Sequence, residues 1–520
     1  MAGRIPQRFG VSISLLCLMI PCFFFVGSML KPSLDTLSFS SLRLSSTMSL
    51  EIQVVEEENR GTDGSEVGGM ATSAMGEESP PNKPANETID PSPIDHHEEP
   101  IFSSETSLLE EILQEPAEEQ ETSTARAAES KISCDESERR SDTCAVHGDV
   151  RVVGHSSSII LAIDGAAAVH GEEEEGISWK IRPYSRKWET TVMGRIRELT
   201  VKESTRKQPQ CSVNHTVPGI VFSTGGFLGN FFHDFSDVLI PLFTTARRHR
   251  GRVQFLVTDF NYGWIAKYET ILRRLSYYPI IDLDRERTVR CFRDVHVGLL
   301  SHRELGIDPS KAPNGDSMAD FREFLRSCFS LSREQAVVVR SAGRKKKPRL
   351  LLINRRGSRS ITNRREVSSL ARSLGFKVLV AGPEETKNVS RFARTVNSCD
   401  VLMGVHGAGL TNMVFLPRGA TLVQIVPWGG LTSACRHDFG DPAADMAIRY
   451  LEYEVKEEES SLIRQYPRQH PVFTDPLSIH KQGWDAIWSV FLDKQTVKVD
   501  VRRLRGVLEE ALQLQRPPPL

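Results

Sequence analysis

The chain has 520 residues and a formal net charge of −2, a length that predicts about two to four domains. Residues 51 to 130 carry about twenty Asp and Glu against three Lys and Arg, with many Ser, Thr and Pro, a composition that excludes a packed core there. The remainder of the chain is therefore basic, which favours anionic ligands. The nine cysteines form neither a CxxC pair nor a Cys/His cluster, which argues against a zinc site.

The N-terminal segment from residue 9 to residue 30 is apolar and long enough to cross a bilayer, since a spanning helix takes about 20 apolar residues. Arg4 and Arg8 precede it, so the positive-inside rule predicts a cytosolic tail over residues 1 to 8 and a lumenal body. A cleaved signal peptide is the alternative, because small residues follow the apolar core. We expect a disordered acidic stem over residues 31 to 133.

Three N-glycosylation sequons fit a lumenal body. They begin at Asn86, Asn214 and Asn388. Cys17 and Cys22 lie in the predicted anchor, and the odd number of cysteines that remains leaves at least one thiol unpaired within the chain. A tail, an anchor, a stem and a folded body suit a Golgi enzyme held on a spacer. A membrane-tethered binding protein fits this layout equally well until a site is found.

In the first half of the body, candidate strands cover residues 219 to 222, 253 to 258 and 278 to 283. Between the first two lies GGFLGNFFHDFSDVLIPLF, which predicts a helix from Asn230 to about Ile240 that Pro241 kinks or ends. One face of this helix is apolar, and the other carries His233, Asp234 and Asp237. These three side chains are candidates for acid/base catalysis, and an ordinary amphipathic helix is the alternative.

A DxD triplet, Asp282-Leu283-Asp284, follows the third candidate strand. Such a triplet can hold a divalent cation on a diphosphate, which would indicate a metal-dependent transferase of the GT-A type. Arg285 and Arg287 follow at once, and this favours a solvated turn. We therefore predict no required metal or other cofactor, with Mn²⁺ dependence as the alternative.

The second half alternates short apolar runs with helical patterns. The predicted strands cover 349 to 353, 377 to 381, 401 to 404 and 421 to 426, and the predicted helices cover about 364 to 374, 386 to 397 and 409 to 416. This alternation indicates βαβ units and a parallel sheet covered on both faces. Ligands bind such sheets at the carboxyl ends of the strands.

Two loops follow strands of this sheet. VLMGVHGAGLTN opens a helix N-terminus, which can bind an anion, and RLLLINRRGSRS places arginines after the neighbouring strand. The predicted diphosphate-binding residues are Asn354, Arg355, Arg359, His406, Gly407, Ala408 and Gly409. A tight turn with a capping histidine is the alternative for the first loop. Residues 480 to 515 look helical, and we expect them to pack back across the first half.

The motifs STGGFLGNFFHDFSD, NRRGSRSITN, GVHGAGLTNMVFLPRGATLVQIVP and PVFTDP closely resemble those of glycosyltransferase family 61. CDESERRSDTCAVHGDVR resembles the plant branch that decorates xylan. The resemblance covers about residues 134 to 512 and implies an α/β fold of the GT-B type, with two Rossmann-like domains facing each other across a cleft. The expected domains are 134 to 343 on the acceptor side, 344 to 478 for the nucleotide sugar, and a C-terminal segment from 479 to 520.

The resemblance also implies the activity and the partners. It implies transfer of arabinofuranose or xylose from a UDP-sugar to xylan with inversion, with no nucleic-acid partner. An N-glycan β-1,2-xylosyltransferase or another UDP-sugar transferase of this family is one alternative, and a catalytically silent scaffold subunit of a Golgi complex is another. The leaving diphosphate is assigned to Arg355, Arg359 and the loop at His406. The base is one of His233, Asp234 and Asp237, and the location is the Golgi membrane.

Overall fold

The structure is a computed structural model that describes residues 131–163, 177–205, 208–337 and 347–515. The predicted tail, anchor and most of the predicted stem lie outside these residues, as does the sequon at Asn86. The first strand begins at Lys131, so the folded body starts before the predicted end of the stem at residue 133. Within the described ranges, no helix is long and apolar enough to cross a membrane.

The second half of the body contains a five-stranded parallel sheet, as predicted. Its strands, in spatial order, are Lys377–Ala381, Arg349–Ile353, Val401–Val405, Thr421–Val426 and Arg449–Glu454. The last strand was not predicted, because its sequence RYLEYE has no continuous apolar run. The strand order changes direction between the strand ending at Ile353 and the strand ending at Val405, which is where doubly wound sheets bind ligands.

Helices cover both faces of this sheet, because side chains alternate between the faces of a strand. Leu351 packs in the same core as helix Val389–Asn397, whereas Leu350 packs with helices Arg364–Ser373 and Val501–Leu514 on the opposite face. We expected the C-terminal segment to pack across the first half, and this is wrong for Val501–Leu514. Its apolar stripe is buried against the second sheet, beside helix Arg364–Ser373.

The first half contains a ten-stranded sheet that is mixed rather than parallel. Its main path runs Ser178–Ile181, Leu199–Ser204, Ser158–Ala162, Thr143–Val153, Val289–Val297, Gly219–Ser223, Gln254–Thr258 and Ile281–Asp282, and Lys131–Asp135 and Val213–Asn214 pair beside it. The three predicted strands, together with Val289–Val297, form the parallel part that corresponds to the expected Rossmann-like domain. Sequence reasoning missed Val289–Val297 and the remaining strands. Most of them lack a continuous apolar run, but Ser158–Ala162 has one, SIILA, and could have been recognised.

Two disulfides hold this sheet. Cys134–Cys144 closes the turn between the first two strands, and Cys211–Cys291 joins segments that are 80 residues apart. Cys328, Cys399 and Cys435 are buried free thiols, in agreement with the expectation of at least one unpaired cysteine.

The helix predicted around Pro241 continues through the proline. It consists of an α-helical turn Phe231–His233, a π-helical segment Asp234–Leu239 and an α-helix Ile240–Ala246. In a regular α-helix the proline ring would clash with the carbonyl group four residues earlier. The wider π-helical turn immediately before Pro241 changes the register, and the helix therefore does not end there.

The two halves share one hydrophobic core. Phe235 of the π-helical segment packs edge-on against Phe415, with ring centroids 5.9 Å apart. Helix Met318–Phe329 bridges the halves, because its Phe321 packs on Phe235 and its Phe329 packs on Phe415, with ring centroids 5.6 Å apart in the second pair. The other described helices are Gly154–Ser156, Thr190–Met193, Arg247–His249, Tyr262–Lys267, Glu269–Leu275, Ala408–Phe415, Thr432–Cys435, Arg436–Gly440, Asp441–Asp445, Glu457–Glu459, Ser461–Arg464, Pro471–Thr474, Pro476–His480, Trp484–Ile487 and Trp488–Leu492.

Candidate functional site

Two arginines follow the strand Arg349–Ile353, at the point where the strand order changes direction. Arg359 is 4% exposed, and its Nη1 donates to the carbonyl oxygen of His406 at 3.2 Å. Arg355 donates from Nε to the carbonyl oxygen of Ser358. Among the described residues, neither arginine forms an ion pair with an acidic side chain. Two largely buried positive charges therefore lie side by side at the carboxyl edge of the sheet.

Electrostatics make this pair unusual. Burial and the neighbouring Arg355 lower the pKa of Arg359 to about 10, and burial alone lowers the pKa of Arg355. The Nε atom of Arg359 is buried without a hydrogen-bond partner in the described part of the chain. Burying charge without a partner is unfavourable. The pair is therefore suited to an anion with several oxygen acceptors, such as a diphosphate.

Gly407 lets the backbone lie directly against this pair. Its φ of +144° is rarely adopted by side-chain-bearing residues, and an added Cβ would lie 2.7 Å from Nη1 of Arg355 and 3.1 Å from Nη1 of Arg359. The expected helix after it is a 3-10 helix, Ala408–Phe415. Its first N–H groups, at Ala408 and Gly409, have no preceding helical carbonyl to bond, as at any helix start. Gly407 thus lies against the arginine pair, and the helix start at Ala408 and Gly409 follows it directly.

His406 is a neutral hydrogen-bond donor in this arrangement. Burial and the two arginines lower its pKa to about 3. The amide of Gln424 donates to its Nδ1 at 2.8 Å, and the hydroxyl of Tyr450 donates to the amide oxygen of Gln424. The proton of His406 therefore lies on Nε2. Donation from Nε2 suits an oxygen of a sugar or a phosphate, and it does not suit the role of a base.

Asn354 has a structural position. Its side-chain oxygen accepts from the backbone N–H of Ile361 at 3.1 Å, which closes the arginine-bearing loop. This bond uses only the amide oxygen, so Asn354 shapes the loop and its prediction as a diphosphate-binding residue, through the amide nitrogen, stays a prediction. Arg356 is exposed.

The second cluster is a histidine–aspartate pair. Nδ1 of His233 lies 2.9 Å from Oδ2 of Asp237, and the imidazole stacks on Phe227 with ring centroids 4.2 Å apart. Asp237 is fully buried, whereas the side chain of His233 is 16% exposed. Nε2 of His233 has no hydrogen-bond partner in the part of the chain that the structure describes. It is therefore free to take a proton from a substrate.

Asp237 is held as an anion by residues that sequence reasoning did not identify. Arg140 and Arg186 contact its carboxylate at 3.2 and 3.0 Å, and the hydroxyl of Tyr184 donates to it at 2.9 Å. Burial raises the pKa of Asp237, but His233 and the two arginines outweigh this effect and hold the pKa below its usual value. An ionised Asp237 keeps the proton of His233 on Nδ1 and leaves Nε2 as the basic nitrogen.

Asp234 does not share a face with Asp237. Its carboxylate accepts from Nε1 of Trp264, Nζ of Lys267 and the hydroxyl of Tyr268, all within 2.9 Å. It is 2% exposed, and these partners occupy both of its oxygens. The wider π-helical turn rotates residues three apart further from each other than an α-helix does. The geometry makes Asp234 a structural anchor.

The packing brings the two clusters together. Phe232, next to His233, packs on Phe439, and Phe439 packs on His406, each pair with ring centroids 5.6 Å apart. His233 and His406 therefore lie on either side of a short aromatic bridge between the halves. Sequence reasoning expected the two histidines to face each other across a cleft. The structure places each of them next to this aromatic bridge, where the two halves meet.

Asp438 is a further site residue. Its Oδ2 lies 3.8 Å from Nε2 of His406, which is too far for a direct hydrogen bond. Burial, and the nearby charge of Glu304, raise its pKa to about 7, although a third of its side chain remains exposed. The same Glu304 binds Arg140 and Arg186, so one network links both clusters. The His-Asp pair in RHDFG was the available sequence signal.

The other predicted positions fall outside this site. Asn214 and Asn388 are exposed, as glycosylation requires. Asp282 accepts from the hydroxyl of Tyr262, and Asp284 is paired with Arg197 at 2.7 Å. These carboxylates shape a surface turn.

One group of metal-type ligands occurs among the described residues, formed by Asp149, Cys211 and Cys291. Its two cysteines are joined in a disulfide, so they offer no thiolates. The site itself contains two arginines and two histidines. His406 is paired with the amide of Gln424, and His233 is paired with the carboxylate of Asp237. Such a set fits an anion and a proton transfer, and it does not form a group of metal ligands.

Known proteins resemble this chain. Residues 229–423 match the family model Glycosyltransferase 61. An alpha-1,3-arabinosyltransferase of Oryza sativa subsp. japonica is 48% identical over 383 residues, which are 74% of this chain and 65% of that relative. The chain thus spans about two thirds of the length of that protein.

Two further relatives match over more of their length. A beta-1,2-xylosyltransferase of Oryza sativa subsp. japonica is 44% identical over 398 residues, covering 75% of this chain and 85% of the relative. A xylan glycosyltransferase of Arabidopsis thaliana is 36% identical over 397 residues, covering 74% and 79%. On this evidence the chain belongs to glycosyltransferase family 61.

Proposed function

We propose that the chain transfers a pentose, arabinofuranose or xylose, from a UDP-sugar to xylan with inversion at the anomeric carbon. The names of the relatives support the pentose and the xylan acceptor. The two α/β sheets support a GT-B architecture, in which the site lies where the two halves meet. The apolar segment at residues 9 to 30 supports a single-pass Golgi anchor with the body in the lumen.

One observation carries the proposal. Arg359 is buried and Arg355 is half-buried beside it, and within the described ranges neither has an acidic partner. His233 lies across one aromatic bridge from His406, whose carbonyl oxygen accepts from Arg359. Inverting transfer needs these two parts, a positive site for the departing diphosphate and a base for the acceptor. A binding protein without catalysis would need the first part only.

The steps follow from the positions of these residues. Nε2 of His233 removes the proton from an acceptor hydroxyl, and the hydroxyl oxygen forms a bond to the anomeric carbon. The bond from that carbon to the phosphate oxygen breaks, and the UDP that leaves carries the negative charge to Arg355 and Arg359. Asp237 stays ionised and stabilises the imidazolium that forms. His406 donates from Nε2 to an oxygen of the donor. None of these steps calls for a metal ion.

The test uses the purified full chain in detergent. We would incubate it with UDP-arabinofuranose, UDP-xylose or UDP-N-acetylglucosamine and with xylo-oligosaccharide or N-glycan acceptors, with and without EDTA. The expected result is a pentosylated xylo-oligosaccharide, identified by product mass and linkage, at a rate that EDTA does not lower. Transfer to the N-glycan alone, or dependence on a divalent cation, would contradict the proposal.

The proposed base is tested separately. His233→Ala should lower kcat by about a hundredfold or more, since a positioned base contributes that much, and should leave UDP affinity unchanged. His147→Ala is the matched control, because His147 also contacts an aspartate through Nδ1, Asp294 at 2.6 Å, but lies in the first sheet away from the site. Equal kcat in both variants would remove His233 from the mechanism.

A further inference from the structure

Two exposed tryptophans lie next to each other, and one of them lies beside Arg359. Trp484 and Trp488 are 62% and 43% exposed, and their ring centroids are 6.4 Å apart. They are four residues apart on consecutive helical segments, Trp484–Ile487 and Trp488–Leu492, so they project from one side. Large aromatic rings grouped on a surface indicate a binding site more often than a chance exposure.

The tryptophan segment is fastened to the arginine loop. The guanidinium carbon of Arg359 lies 5.4 Å from the ring centroid of Trp488. The backbone N–H of Arg359 donates to the carbonyl oxygen of Gln495, just after the segment. The fully buried side chain of Gln495 in turn bonds the backbone of Trp428 and Phe491. These hydrogen bonds hold the tryptophan segment at a fixed distance from Arg359.

We propose that Trp484 and Trp488 form the stacking surface for the nucleobase of a nucleoside diphosphate whose phosphates bind Arg355 and Arg359. This inference rests on the proposed function and adds the site of the base. Every nucleobase has a flat π-face that stacks on an indole ring. A nucleoside diphosphate carries a flat nucleobase at one end and a diphosphate at the other. The site has the matching arrangement, with the tryptophan rings on one side and the arginines that lack acidic partners on the other.

The charge next to the rings decides between occupants. A xylan chain could also pack a sugar ring on tryptophan, but it carries no charge to occupy the adjoining arginines. A nucleoside diphosphate satisfies both surfaces at once. The nucleobase therefore binds at the tryptophans, and the acceptor enters from the side of His233.

The experiment compares UDP with inorganic pyrophosphate, which has the phosphates without the base. Calorimetric titration of the full chain would give both affinities for the wild type and for Trp484→Ala, whose ring does not contact Arg359. We expect Trp484→Ala to weaken UDP binding by about tenfold and to leave pyrophosphate binding unchanged. Trp488→Phe keeps an aromatic face and should weaken UDP binding less than Trp484→Ala.

Trp188→Ala is the matched control. Trp188 is 39% exposed and also stacks on arginines, with Arg186 at 5.2 Å, but it lies in the first half. We expect it to bind UDP and pyrophosphate as the wild type does. Equal loss of UDP affinity in Trp188→Ala and Trp484→Ala would overturn the inference. So would a loss of xylo-oligosaccharide binding in Trp484→Ala with UDP affinity unchanged.

A failure of the proposed function looks different. If the wild type bound neither UDP nor pyrophosphate, or if Arg359→Met bound both as tightly as the wild type, the anion site itself would be wrong. If Arg359→Met bound neither ligand while Trp484→Ala bound both, the diphosphate site would be supported and the nucleobase site at the tryptophans would be refuted.

Discussion

Replacing Arg359 by methionine should stabilise the ligand-free protein and lower its affinity for UDP. Burial and Arg355 lower the pKa of Arg359 from 12.5 to about 10. At about 1.36 kcal/mol per pKa unit, the folded protein disfavours the charged form by about 3 kcal/mol. Because the folded pKa lies below the unfolded one, this cost is present at every pH below about 10, and so in full at pH 7.

Methionine removes the charge and keeps most of the side-chain volume. Losing the contact with Trp488 offsets about 0.5 to 1 kcal/mol, and losing the hydrogen bond to the carbonyl oxygen of His406 offsets about 0.5 to 1.5 kcal/mol. A net stabilisation of about 0.5 to 2 kcal/mol is left. The melting temperature of the ligand-free protein should rise by about 2 to 4 °C. UDP affinity should fall by about tenfold or more, since hydrogen bonds to charged groups contribute about 1.5 to 3 kcal/mol.

Arg322→Met is the matched control. Arg322 is 6% exposed, and burial lowers its pKa to about 10 as well, but it donates to three backbone carbonyls, of Val414, Leu416 and Met446. Its loss leaves those buried acceptors unpaired, so the melting temperature should fall while UDP affinity stays near the wild-type value. Differential scanning calorimetry and titration with UDP measure both quantities. Arg359→Met melting as low as Arg322→Met would refute the reasoning.

Three further predictions concern other parts of the site and the fold. Gly407→Val should weaken UDP binding in a calorimetric titration, because its Cβ would lie 2.7 Å from Nη1 of Arg355; unchanged affinity would place the ligand elsewhere. Asp438, with a pKa raised to about 7 by burial and Glu304, stabilises the fold fully below pH 3.8 and loses this contribution as the pH rises through 7. Asp438→Asn should therefore show a flatter fall in melting temperature between about pH 4 and pH 7, and parallel curves for both proteins would contradict this. Cys211→Ser should cost about 2 to 5 kcal/mol of stability, measured by denaturant unfolding, and a midpoint equal to the wild type would show that the disulfide is dispensable.

The sequence predicted the parts of the fold that depend on local pattern. Four strands of the parallel sheet are short, mostly apolar runs, and their bounds could be read to within one residue. Because parallel strands end at one edge, the loops at Arg355 and His406 had to meet there. The antiparallel strands of the first sheet have weaker patterns, and their pairing is set by distant partners such as Thr143–Val153 with Val289–Val297.

The roles of the individual side chains were decided only by the tertiary structure. Asp234 and Asp237 looked equivalent on a helical projection, but the π-helical turn before Pro241 directs them to different surroundings. Asp237 meets Arg140, 97 residues away in sequence, and no local pattern reports such a contact. Periodicity specifies which face of an element is buried, whereas the partners of a buried charge depend on the packing of distant segments.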